Sequence, residues 1–367
     1  MLTLPSWTDC TWTDKTEEIL GNTKKEEVEV LSSTKNNKKA VMQDHFDAEE
    51  IIFRKDIEHF LEQSVDKNFF NLWKIKDYHI FTEGVSSVVA RIDMTNGKKY
   101  VFKSGNDFVE WWNERMHIEG DIYDVRRKIG IKTPIVYKKW IISQKNSNIP
   151  YILMEYIQPE KKLVKNMMET SMLQELGENI AKMNTIHGEW FGRIKKIEGN
   201  IFIGVDNDIN ELYTACNKNI KILGKRETIW EYENQKTQKA IHILKNNFIS
   251  GTEATVTHDD IRDNFFLTKP MTIFDPNPRL DHPLNDIASI STDILLDNDI
   301  IQEKKEGILQ NIYHGYEKQN GGKIDKNILN ACIIVKLIQK IRWMSGSQKK
   351  EKKIQEALSL FKKTELI

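Results

Sequence analysis

The chain has 367 residues, a formal net charge of zero, 39% hydrophobic and 29% charged residues. Its mean hydropathy is −0.54, and no apolar run approaches the ~18 residues of a membrane helix, so neither a membrane span nor a membrane partner is expected. The length is enough for two lobes with a sizeable core.

Cys10, Cys216 and Cys332 are too scattered for a disulfide framework or metal motif, and the start, MLTLPSWTDC, has no basic stretch leading into an apolar one. Both fit a reducing, cytoplasmic setting. Residues 1–66 hold 15 Asp/Glu against 8 Lys/Arg, and residues 321–367 hold 11 Lys/Arg against 4 Asp/Glu. The basic end reads as a solvated helix face, and no nucleic-acid partner is expected.

Residues 1–45 are polar and aperiodic, and read as loosely structured. Asp47 to Gln63 has helical spacing, with Asp47 as cap. A strand-rich block follows: Tyr78–Phe81, Val88–Ile92 and Tyr100–Lys103, with Asn96-Gly97 as a hairpin turn between the last two. Between the first two lie Gly84, Ser86 and Ser87, a turn that could present backbone N–H groups to phosphate oxygens. Lys103 reads as a little-buried residue at a strand end. Asp107 to Lys128 reads as a helix with Ile118, Ile122 and Val125 on one stripe. Val136–Ile142 and Tyr151–Met154 read as strands, and Glu155-Tyr156-Ile157 follows. From Thr170 a helical stripe runs through Leu173, Leu176, Ile180, Ala181 and Met183. Phe191 to Tyr232 reads as an insert carrying Asp206, Asp208 and Glu211. Helices are expected over Ile229–Phe248, Ile301–Tyr316, Lys326–Met344 and Lys349–Lys363.

The most chemical stretch is Val256 to Asp275, VTHDDIRDNFFLTKPMTIFD. It reads as a hairpin, with Pro270 suited to the turn. Acceptor side chains at its two ends, Asn264 and Asp275, could hold a hard cation such as Mg2+ through oxygen ligands.

This stretch resembles the aminoglycoside phosphotransferase and choline-kinase-like family of the protein-kinase-like fold, which carries a His-x-Asp-x-x-x-x-Asn loop, two short strands, an Ile-Asp, and later Asp-Leu-Ala. The counterparts are His258-Asp259-Asp260, Asn264, Ile273-Phe274-Asp275 and Asp286-Ile287-Ala288. One residue fewer than in the family separates Asp260 from Asn264. Spacing therefore selects Asp259 as the catalytic carboxylate, whereas the His-x-Asp pattern and the apolar Ile261 that follows select Asp260.

The resemblance implies an α+β, two-lobed fold: an extension over 1–68, a nucleotide-binding antiparallel-sheet lobe over 69–157, and a helical lobe over 158–367 with the catalytic loop and substrate site. ATP or GTP and Mg2+ would be the cofactors. Gly84, Ser86, Ser87, Lys103, Glu119, Glu155 and Ile157 would line the nucleotide site, with Glu119 favoured over Glu114 as partner of Lys103. Asn264 and Asp275 would hold the metal, and His258 and Asp286 would support the loop.

The implied activity is phosphorylation of a hydroxyl on a small molecule, an aminoglycoside or other antibiotic first, with Asp206, Asp208, Glu211, Asp293, Asp297 and Asp299 as acids for a cationic acceptor. A kinase of choline or another metabolite is the alternative, and a nucleotide-binding pseudokinase the alternative outside enzymes. A protein kinase lacks support, because no Ala-Pro-Glu follows Asp275. The oligomeric state is left open.

Overall fold

The computed structural model describes residues 57 and 59–62, and residues 74–366 apart from 82–86, 106–109, 145–146, 159–168, 199–200, 226–228, 230, 262–264, 267, 269 and 346–349. The chain divides into two compact units, Met1–Leu72 and Trp73–Ile367. In the first, residues 59–62 are helical, and Ile57 and Leu61, one helical turn apart, are buried. The polar stretch 1–45 and most of the Asp47–Gln63 helix lie outside the described residues.

The second unit opens with an antiparallel sheet ordered β1-β2-β3-β5-β4. Its strands are β1 (Ile75–Phe81), β2 (Ser87–Met94), β3 (Lys99–Gly105), β4 (Val136–Gln144) and β5 (Ser147–Glu155). In β2 the alternation is strict: Val88, Ala90, Ile92 and Met94 face the core, as a half-buried strand requires. The β2–β3 turn has Gly97 at φ 80, a conformation glycine adopts without steric cost. Helix α1 (Glu110–Lys128) packs on β3, β4 and β5. It ends at Gly130, φ 78, where the Ile131 N–H reaches back to the Arg126 carbonyl.

The rest is mainly helical. In chain order come α2 (Thr170–Met183), β6 (Gly188–Glu189), β7 (Phe191–Glu198), β8 (Ile201–Asp206), α3 (Ile209–Leu212), α4 (Thr214–Lys225) and α5 (Glu231–Ile249). Then come β9 (Thr255–Thr257), β10 (Phe265–Phe266), β11 (Thr272–Ile273), β12 (Arg279–Asp281), α6 (Asn285–Leu296), α7 (Gln302–Asn320), α8 (Lys326–Met344) and α9 (Glu351–Lys363). All five stripe residues expected on α2 are buried. There α2 crosses α7 at Gly177 and Gly315. A Cβ on Gly177 would lie 2.0 Å from the Ile312 carbonyl oxygen, and one on Gly315 2.0 Å from that of Gln174. Only glycine permits this backbone-to-backbone approach.

Two features went unread in the sequence. The segment read as an insert supplies β7 and β8, which join a second sheet ordered β6-β8-β7-β12-β9. Helix α6 was not assigned at all. The short hairpin is present, with Phe265 paired to Ile273 and Phe266 to Thr272. Among the described residues no helix is long and apolar enough to cross a membrane.

Candidate active site

Lys103 lies in β3, the middle strand of its sheet, paired between Val89 and Ile152. It is 3% exposed, which corrects the expectation of a solvated strand-end lysine. Charge pairing is what permits the burial. Its Nζ donates to both Glu119 oxygens at 2.7 Å and to Asp275 Oδ1 at 2.5 Å. Burial alone would lower its pKa, but the charges of Asp275 and Glu119 reverse the sign and raise it. The ammonium is therefore fixed.

Glu119, Tyr123 and Arg126 stand at i, i+4 and i+7 on α1, so they share a face. Glu119 and Arg126 are fully buried, as is Tyr123. The Tyr123 hydroxyl donates to Glu119 Oε1 at 3.1 Å and accepts the Asp275 N–H at 2.8 Å. Arg126 has no hydrogen-bond partner for its guanidinium among the described residues. Burial holds its pKa down to about 10, against the charge of Asp286.

The loop after β9 hangs from Asp286, on the first turn of α6. The carboxylate accepts the His258 N–H at 2.7 Å and the Asp259 N–H at 2.9 Å. Burial raises its pKa to about 6 even so. His258 Nε2 lies 2.8 Å from the Phe274 carbonyl oxygen, which can only accept, so Nε2 carries the proton. The imidazole is kept neutral, its pKa lowered to about 3 by burial and by the Arg126 charge.

The two neighbouring carboxylates part company here. Asp259, at φ 61, turns inward. Its Oδ1 accepts from Lys336 Nζ at 2.5 Å and Asn285 Nδ2 at 3.3 Å, and its Oδ2 from Asn277 Nδ2 at 3.3 Å. Burial pushes its pKa up, and Lys336 and Arg279 more than reverse this, leaving it below the ordinary value. Asp260 is exposed. Desolvation, then the charges of Asp275, Asp259 and Asp293, raise its pKa, with Lys340 opposing.

Asp275 stands just past β11 at φ 47, its side chain 45% exposed. Glu155 ends β5 and its Oε2 accepts the Ile135 N–H at 3.2 Å, while Ile157 follows in an irregular segment. Ser87 pairs with Gly105 at the start of β2. Gly84, Ser86 and Asn264 lie outside the described residues, as does the side chain of Glu114. Three of the acids expected to receive a cationic acceptor, Asp293, Asp208 and Asp297, have partners of their own. Asp293 pairs with Lys340 at 2.6 Å, Asp208 accepts the Asn210 N–H at 2.8 Å, and Asp297 accepts the Asp299 N–H at 2.8 Å. A cavity of about 620 Å³ between α4 and α5, lined by Ile220, Lys221, Ile229 and Gln238, shares no residue with the Lys103–Asp275 cluster.

Sequence reading passed over Tyr123, Arg126 and Lys336. The first two could have been found by counting in helical steps from Glu119. Nothing local signals Lys336.

The buried imidazoles set a pH dependence. An unfolded histidine titrates near 6.5, whereas His258 is held at about 3 and His282, by burial, at about 4. Their stabilisation is present above ~6.5 and is lost as pH falls through those lower values. Asp286 has the opposite sign: its contribution is present below its unfolded value and is lost as pH rises through about 6. Asp260 and Asp281, also raised, act in the same sense as Asp286, and His117, lowered, in the sense of the other imidazoles. The large shifts of His258 and His282 dominate, so the melting temperature should fall on acidification from pH 7 to 5. A flat profile over that interval would contradict this.

The sheet lobe, the single helix α1 and the helical lobe define a protein-kinase-like fold. No protein-family model and no curated protein matches the chain. Solved structures do. An amicoumacin kinase in complex with AMP-PNP and Ca2+ superposes with a TM-score of 0.62 at 12% identity, covering 86% of this chain and 96% of that one. The aminoglycoside phosphotransferase APH(4)-Ia gives 0.55 at 14%, covering 84% and 98%. Spectinomycin phosphotransferase APH(9)-Ia, with ADP and spectinomycin, gives 0.50 at 14%, covering 79% and 89%. The chain thus has the fold of these small-molecule phosphotransferases.

Proposed function

We propose that the protein is a small-molecule O-phosphotransferase that moves the γ-phosphoryl group of ATP or GTP to a hydroxyl. One observation carries this reading: a buried lysine is shared between a helix carboxylate and Asp275, beside a loop that exposes Asp260. Phosphoryl transfer asks chiefly for positioning and charge neutralisation, and these groups supply both. Lys103 would hold phosphate oxygens, with Glu119 fixing its direction. Gly84, Ser86, Ser87, Glu155 and Ile157 would border the nucleotide.

Asp260 would orient the acceptor hydroxyl and take its proton, a role suited to a carboxylate whose pKa is raised by desolvation and by Asp275. Asp259 would be a structural anchor, and Asp286 and His258 would hold the loop. A divalent cation fits the donors present. Lys103, Glu119 and Asp275 carry two negative charges against one positive, and the part-exposed Asp275 offers a hard oxygen ligand. Mg2+ keeps waters and phosphate oxygens as ligands, so one or two protein oxygen donors suffice for it. Asp275 and Asn264 would hold it, and when bound it would neutralise charge on the phosphates.

The first acceptors to test are aminoglycosides and other antibiotics, since the three structural neighbours described above carry such substrates in their names. Choline and amino alcohols, which carry one hydroxyl and one cationic nitrogen, form the second arm. The test is thermal shift and acceptor-stimulated ADP release with Mg-ATP and Mg-GTP across both arms. Mass action should raise the melting temperature on nucleotide binding, and no shift at millimolar nucleotide would overturn the reading. Asp275→Asn should abolish Mg2+-dependent turnover, since a neutral amide is a poorer ligand for a hard cation. Activity surviving at ordinary Mg2+ would remove Asp275 from the metal site.

A further inference from the structure

The peptide unit joining Phe274 to Asp275 is gripped at both ends. Its carbonyl accepts from His258 Nε2 at 2.8 Å, and its N–H donates to the Tyr123 hydroxyl at 2.8 Å. His258 belongs to the catalytic loop and Tyr123 to α1, so two separate elements hold one peptide plane. The plane needs holding. Asp275 lies at φ 47, where a side chain crowds the following carbonyl oxygen, and such conformations persist only when their surroundings fix them.

The same hydroxyl also donates to Glu119 Oε1 at 3.1 Å. It thus uses its proton on one partner and a lone pair on the other, a pairing that phenylalanine cannot reproduce. Both partners then meet at Lys103 Nζ, closing a ring of Tyr123, Glu119, Lys103 and Asp275.

We propose that Tyr123 is a positioning residue whose hydroxyl ties the Lys103–Glu119 pair to the backbone of Asp275, so that the phosphate-binding and metal-binding sides of the site keep one geometry. This rests on the phosphotransferase reading only for its effect on catalysis; the tie itself exists without ligand. A helix α1 out of place would release the Asp275 N–H, and Asp275 would then lose its aim at a cation.

The test is Tyr123→Phe with two independent readouts. In the nucleotide-free protein, hydrogen exchange of the Asp275 amide should be slow in the wild type and about tenfold or more faster in the variant, the worth of one lost hydrogen bond to a constrained amide. In turnover, the Mg2+ concentration for half-maximal activity should rise several-fold. Tyr313→Phe, which removes a hydroxyl lying 2.8 Å from Ser291 Oγ, is the control and should leave the Mg2+ requirement unchanged. Unchanged exchange at Asp275 in Tyr123→Phe, or an equal rise in Mg2+ requirement in both variants, would overturn the proposal. If Tyr123→Phe does not fold, the wild-type amide still decides: exchange at the rate of an open loop sinks the tie. A wild type that binds no Mg-nucleotide would defeat the phosphotransferase reading and leave the exchange measurement to judge Tyr123.

Discussion

Asp259→Asn and Asp260→Asn should fail in different ways. Asp260→Asn is expected to fold normally, bind nucleotide normally and lose kcat by about 10²–10⁴, the usual worth of a general base. Asp259→Asn is expected to lose stability instead. Its carboxylate neutralises Lys336, which is 5% exposed, and stranding a buried ammonium costs about 3–5 kcal/mol. The charge of Asp281 also acts on Lys336, so the lower end is expected. Denaturant melts and single-turnover kinetics on both variants separate these outcomes. A mild loss of kcat in Asp260→Asn would disqualify it as the base and favour a nucleotide-binding pseudokinase.

Lys103→Ala should likewise do more than disable nucleotide use. A solvated lysine at a strand end could be removed without harm to the fold. The lysine found here holds Glu119, whose carboxylate is completely buried, and removing one partner of such a pair costs about 3–5 kcal/mol. The lower end is expected, because the Tyr123 hydroxyl still donates to Glu119 and the Arg126 charge still acts with it. The variant should therefore lose both turnover and several degrees of melting temperature. Glu119→Gln in the Lys103→Ala background removes the buried charge that has lost its ammonium partner and should recover part of the stability without recovering activity. A Lys103→Ala protein as stable as the wild type would show that water reaches Glu119.

Periodicity made much of the fold legible. Helix α2 shows its stripe because one side faces the core and the other water, and the Asn96-Gly97 turn fixes the β2–β3 hairpin. Helix α6 was illegible for the converse reason. All ten residues from Asn285 to Ile294 are buried, so NDIASISTDILL has no polar face to alternate with. Its hydroxyls satisfy themselves within the helix, Ser291 Oγ on the Ile287 carbonyl and Thr292 Oγ1 on that of Ala288.

Within the site, the resemblance to the phosphotransferase family, through the order of its motifs along the chain, singled out Lys103, Glu119, Asp275 and Asp286, and the structure brings the first three together and sets the fourth under the loop. The apolar Ile261, which is buried, favoured Asp260 over Asp259 as the cleft-facing carboxylate, but the inward turn of Asp259 was not legible. It depends on Lys336, on a helix far downstream, and no local pattern distinguishes a lysine that will be buried from one that will be solvated.

That distance bears on when, during synthesis, the site comes into being. Lys336 follows Asp259 by 77 residues. At ~5–20 residues per second this is roughly 4–15 s of translation, for most of which Arg279, 3.9 Å from Asp259 Oδ2, is the one counter-charge among the described residues that has already been made. The nascent chain can form its sheet lobe and α1 early, since their contacts are comparatively local. The loop carrying Asp259 and Asp260, by contrast, gains Asp286 first and its lysine partner only as the last helices are made.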